Sequence, residues 1–236
     1  MKYIKKYLGK VYNDAMLLND KNVCTALESI NEDVESILDV GCWDGKKTLD
    51  YAKTCNAKNI YGIEIVSEKA KEAEVRGIKT FSMIADKDIW PFENESLDVV
   101  VSNQVIEHLS DVDHFISEAH RVLKKGGYIV TSTNNLSSWH NIFALVLGWA
   151  PFDLTNSSKK AIGIGNDFAL HQGVTSLNGD SWTHKTIFTT RWLNDWFKVY
   201  KFTPLENYGA GYYPLPARVG SIFKKHSAFI TLINKK

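Results

Sequence analysis

The sequence is short of several features that mark particular classes of protein. Among its 236 residues are three cysteines, Cys24, Cys42 and Cys55. They are scattered, form no CxxC pair and cannot all pair off, so a disulfide framework is excluded and no metal site is expected, zinc least of all. With 28 basic and 27 acidic side chains the formal net charge is +1, too little to draw the chain to nucleic acid or an anionic membrane. No apolar run approaches the length of a transmembrane helix. The N-terminal "MKYIKKYLGK" lacks the apolar stretch and cleavage site of a signal peptide. Internal repeats and low-complexity linkers are missing too. These absences leave a reduced, cytoplasmic protein, long enough for one large α/β domain or a domain with an elaborated end.

What is present is an alternation of short apolar runs and amphipathic segments. "SILDV" (36–40), "NIYGIEI" (59–65), "IKTFSMI" (78–84), "SLDVVVSNQ" (96–104) and "YIVTST" (128–133) read as strands, and "DVVVS" suits one buried on both faces. Residues 46–54, 67–77 and 111–127 read as helices, with Ser67 as N-cap and Gly77 at the end of the second. In the third, Phe115, Ala119, Val122 and Leu123 form the apolar stripe. Such alternation predicts a parallel sheet covered on both faces. Residues 137–185 are rich in Trp, Asn, Ser and Gly without a period and read as an insertion over one end of that sheet. "TTRWLNDWFKVY" (189–200) returns to a helical pattern with Trp192, Trp196 and Phe197 as its apolar positions. "SAFITLINKK" is a closing strand with apolar residues on both sides.

The stretch "ILDVGCWDGKKT" (37–48) runs from a buried strand through glycines into a helix start. Unpaired N–H groups and the helix dipole make such a turn an anion site. Gly41 and Gly45 are four apart, Trp43 stands between them, and Lys46 occupies the place of a third glycine, so G-x-G-x-x-G is not met. No Walker loop occurs either. Nicotinamide and nucleoside triphosphate are therefore poor fits. Glu64 ends the second strand a little over twenty residues on, where an acid accepts hydrogen bonds from both ribose hydroxyls. Asp86 follows the third strand, where a carboxylate can meet an adenine amine. Either acid could equally be solvated surface charge, but ligand-type features at three successive strand ends point to one site, because open α/β sheets bind there.

At this point the chain resembles the class I S-adenosylmethionine-dependent methyltransferases, in particular the type 11 domains of ubiquinone and menaquinone biosynthesis enzymes. The resemblance covers about residues 35–135 and rests on "ILDVGCWDG", "IYGIEI", "ADKDIWPFENESLDVVVSNQVIEHLSD" and "EAHRVLKKGGYIVTSTNN". It implies a Rossmann-like, seven-stranded, mostly parallel sheet with an antiparallel last strand, helices on both faces and a C-terminal cap. The domain would divide into a cofactor core (35–135), a substrate insertion (137–188) and a C-terminal helix and strands (189–236). S-adenosylmethionine would lie along Asp39, Gly41, Cys42, Trp43 and Gly45 by its methionine end. Glu64 would take its ribose, Ile65, Asp86 and Lys87 its adenine, and Asn103 and Gln104 would flank the sulfonium and methyl. Relatives usually carry a glycine where this chain has Trp43. That side chain is either an aromatic wall over the cofactor or a group turned onto the surface.

Methyl transfer from a sulfonium is an in-line displacement governed largely by alignment, and a base is needed only where the nucleophile carries a proton. "HKTIFT" (184–189) resembles a stretch, often H-x-x-x-F-T, before the substrate-covering helix of sugar- and lipid-related methyltransferases, which makes His184 the first base candidate and His140 the second. His108 reads as structural, His114 and His120 as solvated, and His226 offers nothing specific, while His171 lies with His140 and His184 in the insertion expected over the active-site end. The apolar "WHNIFALVLGWAPF" (139–152) has three open readings: a lid helix, a dimer contact, or a face toward a membrane-bound lipid. The expected activity is methyl transfer to a small-molecule, glycan- or lipid-type acceptor, amphipathic ones included, at oxygen first. Carbon methylation of a quinone-like ring and a non-catalytic cofactor-binding module are the alternatives. No nucleic-acid partner is expected, and both monomer and homodimer fit.

Overall fold

The computed structural model describes residues 2–169 and 182–236. Seven strands form one sheet in the order β3-β2-β1-β4-β5-β7-β6. They are β1 (Ser36–Val40), β2 (Asn59–Glu64), β3 (Lys79–Ser82), β4 (Leu97–Asn103), β5 (Leu123–Asn134), β6 (Thr203–Ala210) and β7 (Phe229–Lys235). β7 runs antiparallel to both β5 and β6, and the pairs among β1 to β5 are parallel. The helices are α1 (Lys2–Glu28), α2 (Lys46–Thr54), α3 (Ser67–Val75), α4 (Val112–Val122), α5 (Trp139–Val146), α6 (Thr190–Val199) and the one-turn α7 (Val219–Ile222).

The pleat sends alternate residues of the central strands into two cores. Leu38, Val40, Val100, Ile129 and Leu232 join Phe115, Ile116 and Ala119 of α4 and Leu193 and Phe197 of α6 on one face. Ile37, Val99, Val101, Val130 and Ile233 meet Val23, Ala26 and Leu27 of α1 and Tyr51 and Ala52 of α2 on the other. β7 is buried from Phe229 to Asn234, as its two-sided apolar pattern requires.

Several boundaries depart from the sequence expectation. α1 and β6 are not foreseen from the pattern. The third amphipathic helix stops at Val122, because Leu123 already pairs with Leu97, and the register then shifts before Val99 meets Tyr128. Ser67 is the first residue of α3 rather than its cap; Val66 holds the cap position. On α6 the inward residues are Leu193 and Phe197, while Trp192 is 45% exposed. The i, i+4 spacing of these two residues selects that face, and the tryptophans pack over Phe188 at its margin.

Candidate active site

The glycine loop is tied to the end of β2. The Gly41 and Cys42 amides donate to the Ile63 carbonyl at 2.7 and 3.2 Å, and the Trp43 amide donates to Glu64 Oε2 at 2.9 Å. Gly41 and Gly45 both have φ 82°, the left-handed region that glycine enters at little cost. A side chain at Gly41 would collide with Val105, and one at Gly45 would stand 2.5 Å from Ile78 Cδ1. The loop thus offers backbone and little else. Cys42 turns inward against Ala73 and Ile78, so only its main chain can meet a ligand.

Trp43 adopts φ 49° and is 38% exposed. Its ring meets Trp182 of the insertion edge to face at 5.4 Å, with Lys69 Nζ 5.2 Å from its centroid. The tryptophan inside the glycine turn therefore touches the C-terminal part of the insertion.

Asp39 is buried and its Oδ2 accepts from the Thr48 hydroxyl at 2.6 Å. Burial pushes its carboxyl up to about 7; the Thr48 bond opposes this and the Glu64 charge adds to it. An ammonium group beside it would relieve that cost. Glu64 is 5% exposed and caps two amides, since its Oε1 also accepts from Val66 at 2.9 Å. Each of its oxygens keeps a further lone pair for a hydroxyl donor. Asp86 is buried, and its Oδ2 accepts from the Ser110 and Asp111 amides at 2.5 and 3.2 Å. Ile65, half exposed, and Lys87, exposed, remain open beside it. This cradle fits a molecule with an ammonium end, a ribose and a flat apolar ring.

Asn103 and Gln104 part company at the end of β4. The Asn103 amide faces α1 and α2: its nitrogen donates to Asp20 at 2.9 Å and to the Tyr51 hydroxyl at 2.8 Å, and its oxygen accepts from Asn19 at 3.1 Å. Gln104 has φ 59° and its side chain lines a cavity of about 820 Å³.

That cavity is the candidate for the second half of the site. Its walls come from α1 (Leu8, Tyr12, Met16), α5 and the turn after it (Trp139, Phe143, Phe152), and Ile162, Phe168 and Trp182. Its polar lining includes Glu107, His108, Asn134, His140, Asp153, His184 and Tyr213, and no lysine or arginine among the described residues. Buried atoms without a hydrogen-bond partner gather here: Gln104 Nε2, Glu107 Oε1, Asn134 Oδ1, His140 Nδ1 and the Tyr213 hydroxyl. Such atoms are costly unless something else satisfies them.

His184 and His140, the two base candidates, meet at Asp153. The His184 Nδ1–H donates to the Asp153 main-chain carbonyl, and His140 Nε2 lies 3.3 Å from Asp153 Oδ2. Burial pushes the Asp153 carboxyl up, but the charge and hydrogen bond of His140, with Asn141, outweigh it and hold it below the ordinary carboxylate value. His108 packs its ring 4.8 Å from that of His184. Burial, then the His184 charge, pushes His108 down to about 4. Glu107 is fully buried and bonded through Oε2 to Thr133 at 2.9 Å; burial raises its carboxyl against the pull of His184.

Glu107, His108 and His184 each offer a ligand atom, all within 4.8 Å of one another. Where no metal site was expected, this is the set among the described residues that could hold a cation, or pass a proton. His114 and His226 bond main-chain carbonyls elsewhere, and His171 lies outside the described residues. Asp153, Tyr213 and the α1 residues escaped sequence reasoning. The "IEHL" stretch carries Glu107 and His108 into the cavity lining, where the sequence reading of His108 is a structural one.

Residues 38–131 match the family described as "Methyltransferase domain". An uncharacterized protein of Methanocaldococcus jannaschii is 40% identical over 93 residues, 39% of this chain and 42% of that protein. A ubiquinone biosynthesis O-methyltransferase of Pelagibacter ubique is 27% identical over 123 residues, 49% of this chain and 50% of that one. The chain thus spans about half or less of the length of the curated relatives it matches. In fold it is similar to a Thermotoga maritima structure described as an S-adenosylmethionine-dependent methyltransferase and possible histamine N-methyltransferase. The TM-score is 0.59 at 17% identity, over 99% of this chain and 98% of the other. The glycine turn, the ribose-type acid and the adenine-type acid stand on successive strand ends of this sheet, and all lie within residues 38–131, the stretch that is similar to the methyltransferase domain.

Proposed function

We propose that the protein transfers a methyl group to a hydroxyl oxygen of a small molecule with a sizeable apolar part. The observation that carries this reading is the cavity beside Gln104, with apolar walls, three histidines and unpartnered donors and acceptors together. A carboxylate or phosphate acceptor would meet Glu107 and Asp153 with no lysine or arginine among the described lining residues to offset them. An ammonium can only donate and would leave the Gln104 and Tyr213 donors unmatched, whereas a hydroxyl both donates and accepts.

S-adenosylmethionine supplies an electrophilic methyl on a sulfonium. The chain's own part is to align and to exclude water. The loop and Glu64 fix one reactant, the apolar walls and polar end of the cavity fix the other, and a neutral imidazole removes the hydroxyl proton. The test is a panel of phenols, sugars and quinone precursors incubated with S-adenosylmethionine, followed by formation of S-adenosylhomocysteine and by mass spectrometry of the product. An O-methyl product from an uncharged hydroxylated compound is expected. A C-methyl product, or turnover confined to carboxylates or amines, overturns the reading.

A further inference from the structure

We propose that Asp153 is a positioning residue that holds His140 at the cavity wall with its Nδ1 lone pair unpaired, so that His140 takes the proton of the acceptor hydroxyl. The inference rests on the hydroxyl-acceptor reading above and adds to it the residue pair that moves the proton.

Asp153 lies in the short turn Phe152–Leu154 that follows α5. Its carboxylate is itself held in place: Oδ1 accepts from Asn134 at the end of β5 at 2.7 Å, and Oδ2 accepts from Asn141 of α5 at 2.6 Å. A carboxylate so fixed beside His140 Nε2 favours the tautomer with its proton on that nitrogen. The Ser138 hydroxyl, 3.4 Å from the same nitrogen, is a weaker neighbour. Ring rotation is restricted by Tyr213 and Phe152, with centroids 4.9 and 5.7 Å from that of His140. What remains is Nδ1, buried and without a partner, on a residue that lines the cavity. His184 differs on both counts. It is anchored by the main chain of Asp153 rather than its carboxylate, and it shares its surroundings with Glu107 and His108.

The step balances as follows. The acceptor oxygen gains a bond to the methyl carbon as the sulfur–carbon bond breaks, and the electron pair of that bond stays on sulfur. The hydroxyl proton passes to His140 Nδ1. The positive charge leaves the sulfonium and reappears on an imidazolium facing the Asp153 carboxylate.

The test uses the full chain labelled with 15N-histidine and saturated with S-adenosylhomocysteine, observed by long-range 1H–15N NMR at a pH where the rings are neutral. His140 is expected as the Nε2–H tautomer. Asp153→Asn, which keeps an acceptor oxygen, should retain it. Asp153→Ala should let the His140 tautomers exchange while His184, held by a carbonyl, stays Nδ1–H. With a hydroxylated compound that turns over in the panel, Asp153→Ala and His140→Gln should each lower kcat by about 10²-fold and leave the KM for S-adenosylmethionine unchanged. An Nδ1–H or mixed His140 in the wild type overturns the proposal, as does near-normal kcat in both variants. If Asp153→Ala fails to bind S-adenosylhomocysteine, the wild-type and Asp153→Asn spectra with the His140→Gln kinetics decide. Failure of the hydroxyl reading appears separately, as a panel without O-methyl product.

Discussion

The two halves of the site are built in opposite ways. On the cofactor side, the polar groups described are already engaged by their neighbours: Glu64 caps Trp43 and Val66, Asp86 caps Ser110 and Asp111, Asp39 accepts from Thr48, and Gly41 hangs on β2. On the acceptor side, five buried polar atoms have no partner at all, and the walls come from segments as distant as Leu8 and Pro214. The first half is a rigid socket for one ligand. The second leaves its hydrogen bonds for whatever the cavity admits. On the proposed reading, pre-formed rigidity and unpaired polarity serve different reactants.

The change that should break the cofactor half most completely is Glu64→Ala. It removes a buried carboxylate proposed to bind ribose hydroxyls, at roughly 1.5–3 kcal/mol for each such hydrogen bond, and frees two loop amides besides. Calorimetry with S-adenosylhomocysteine should show at least a tenfold loss of affinity in a folded variant. Unchanged affinity would reduce Glu64 to a loop brace.

A pH titration sharpens the same half. Asp39, raised to about 7 in the free protein, favours folding in its protonated form. That contribution is complete below about 3.9, the unfolded value, and is lost as pH rises through about 7. Binding a cationic ammonium beside Asp39 should instead favour the carboxylate. S-adenosylhomocysteine should therefore bind more weakly as pH falls below about 7, by up to about tenfold per unit, and Asp39→Asn should flatten the curve. His108, lowered to about 4, works the other way on stability. Its neutral form is favoured by the fold, so stability is lost as pH falls from about 6.5 toward 4, and His108→Gln should reduce that loss in thermal melts.

The contrast between the halves also explains what the sequence revealed. "ILDVGCWDG", Glu64 and Asp86 are legible because a parallel sheet places consecutive strand ends side by side, so short local patterns become neighbours in space. The buried pattern of β7 is legible for the same reason. α1 was invisible because its inward residues are small and few, Ala15, Val23, Ala26 and Leu27, amid many polar ones. β6 was missed because residues 203–206 are partly or fully exposed at the sheet edge, so no alternation marks them. Asp153 could not be singled out at all. Its partners are Asn134, His140, Asn141 and His184, and only the folded insertion gathers them.

Asn19 tests whether α1 belongs to the acceptor half. It is fully buried, donates to Asn103 at 3.1 Å and accepts from Ser132 at 2.7 Å. Asn19→Ala should cost about 1–3 kcal/mol in urea unfolding, since it leaves buried partners unsatisfied. Acceptor KM should rise more than cofactor affinity falls, because α1 carries Leu8, Tyr12 and Met16 into the cavity wall. Equal effects on both ligands would make α1 a general support.

The smallest expected effect bears on the contact between the halves. Trp43 sits in the cofactor loop and Trp182 at the end of the insertion, and their rings meet at 5.4 Å and 88°. Edge-to-face pairs contribute about 0.5–1.5 kcal/mol beyond their buried area. A double-mutant cycle of Trp43→Ala and Trp182→Ala, read by urea unfolding, should return a coupling in that range. The Lys69 ammonium over the Trp43 ring belongs to the Trp43 single variant and cancels from the cycle unless it also depends on Trp182. The φ of 49° at Trp43 separates backbone from ring: Trp43→Gly relieves the left-handed cost that Trp43→Ala retains, so the glycine variant should be the more stable of the two. If the coupling increases when S-adenosylhomocysteine is bound, the pair joins the rigid half to the open one. A coupling indistinguishable from zero in both states would leave Trp43 as a surface ring that happens to lie against the insertion.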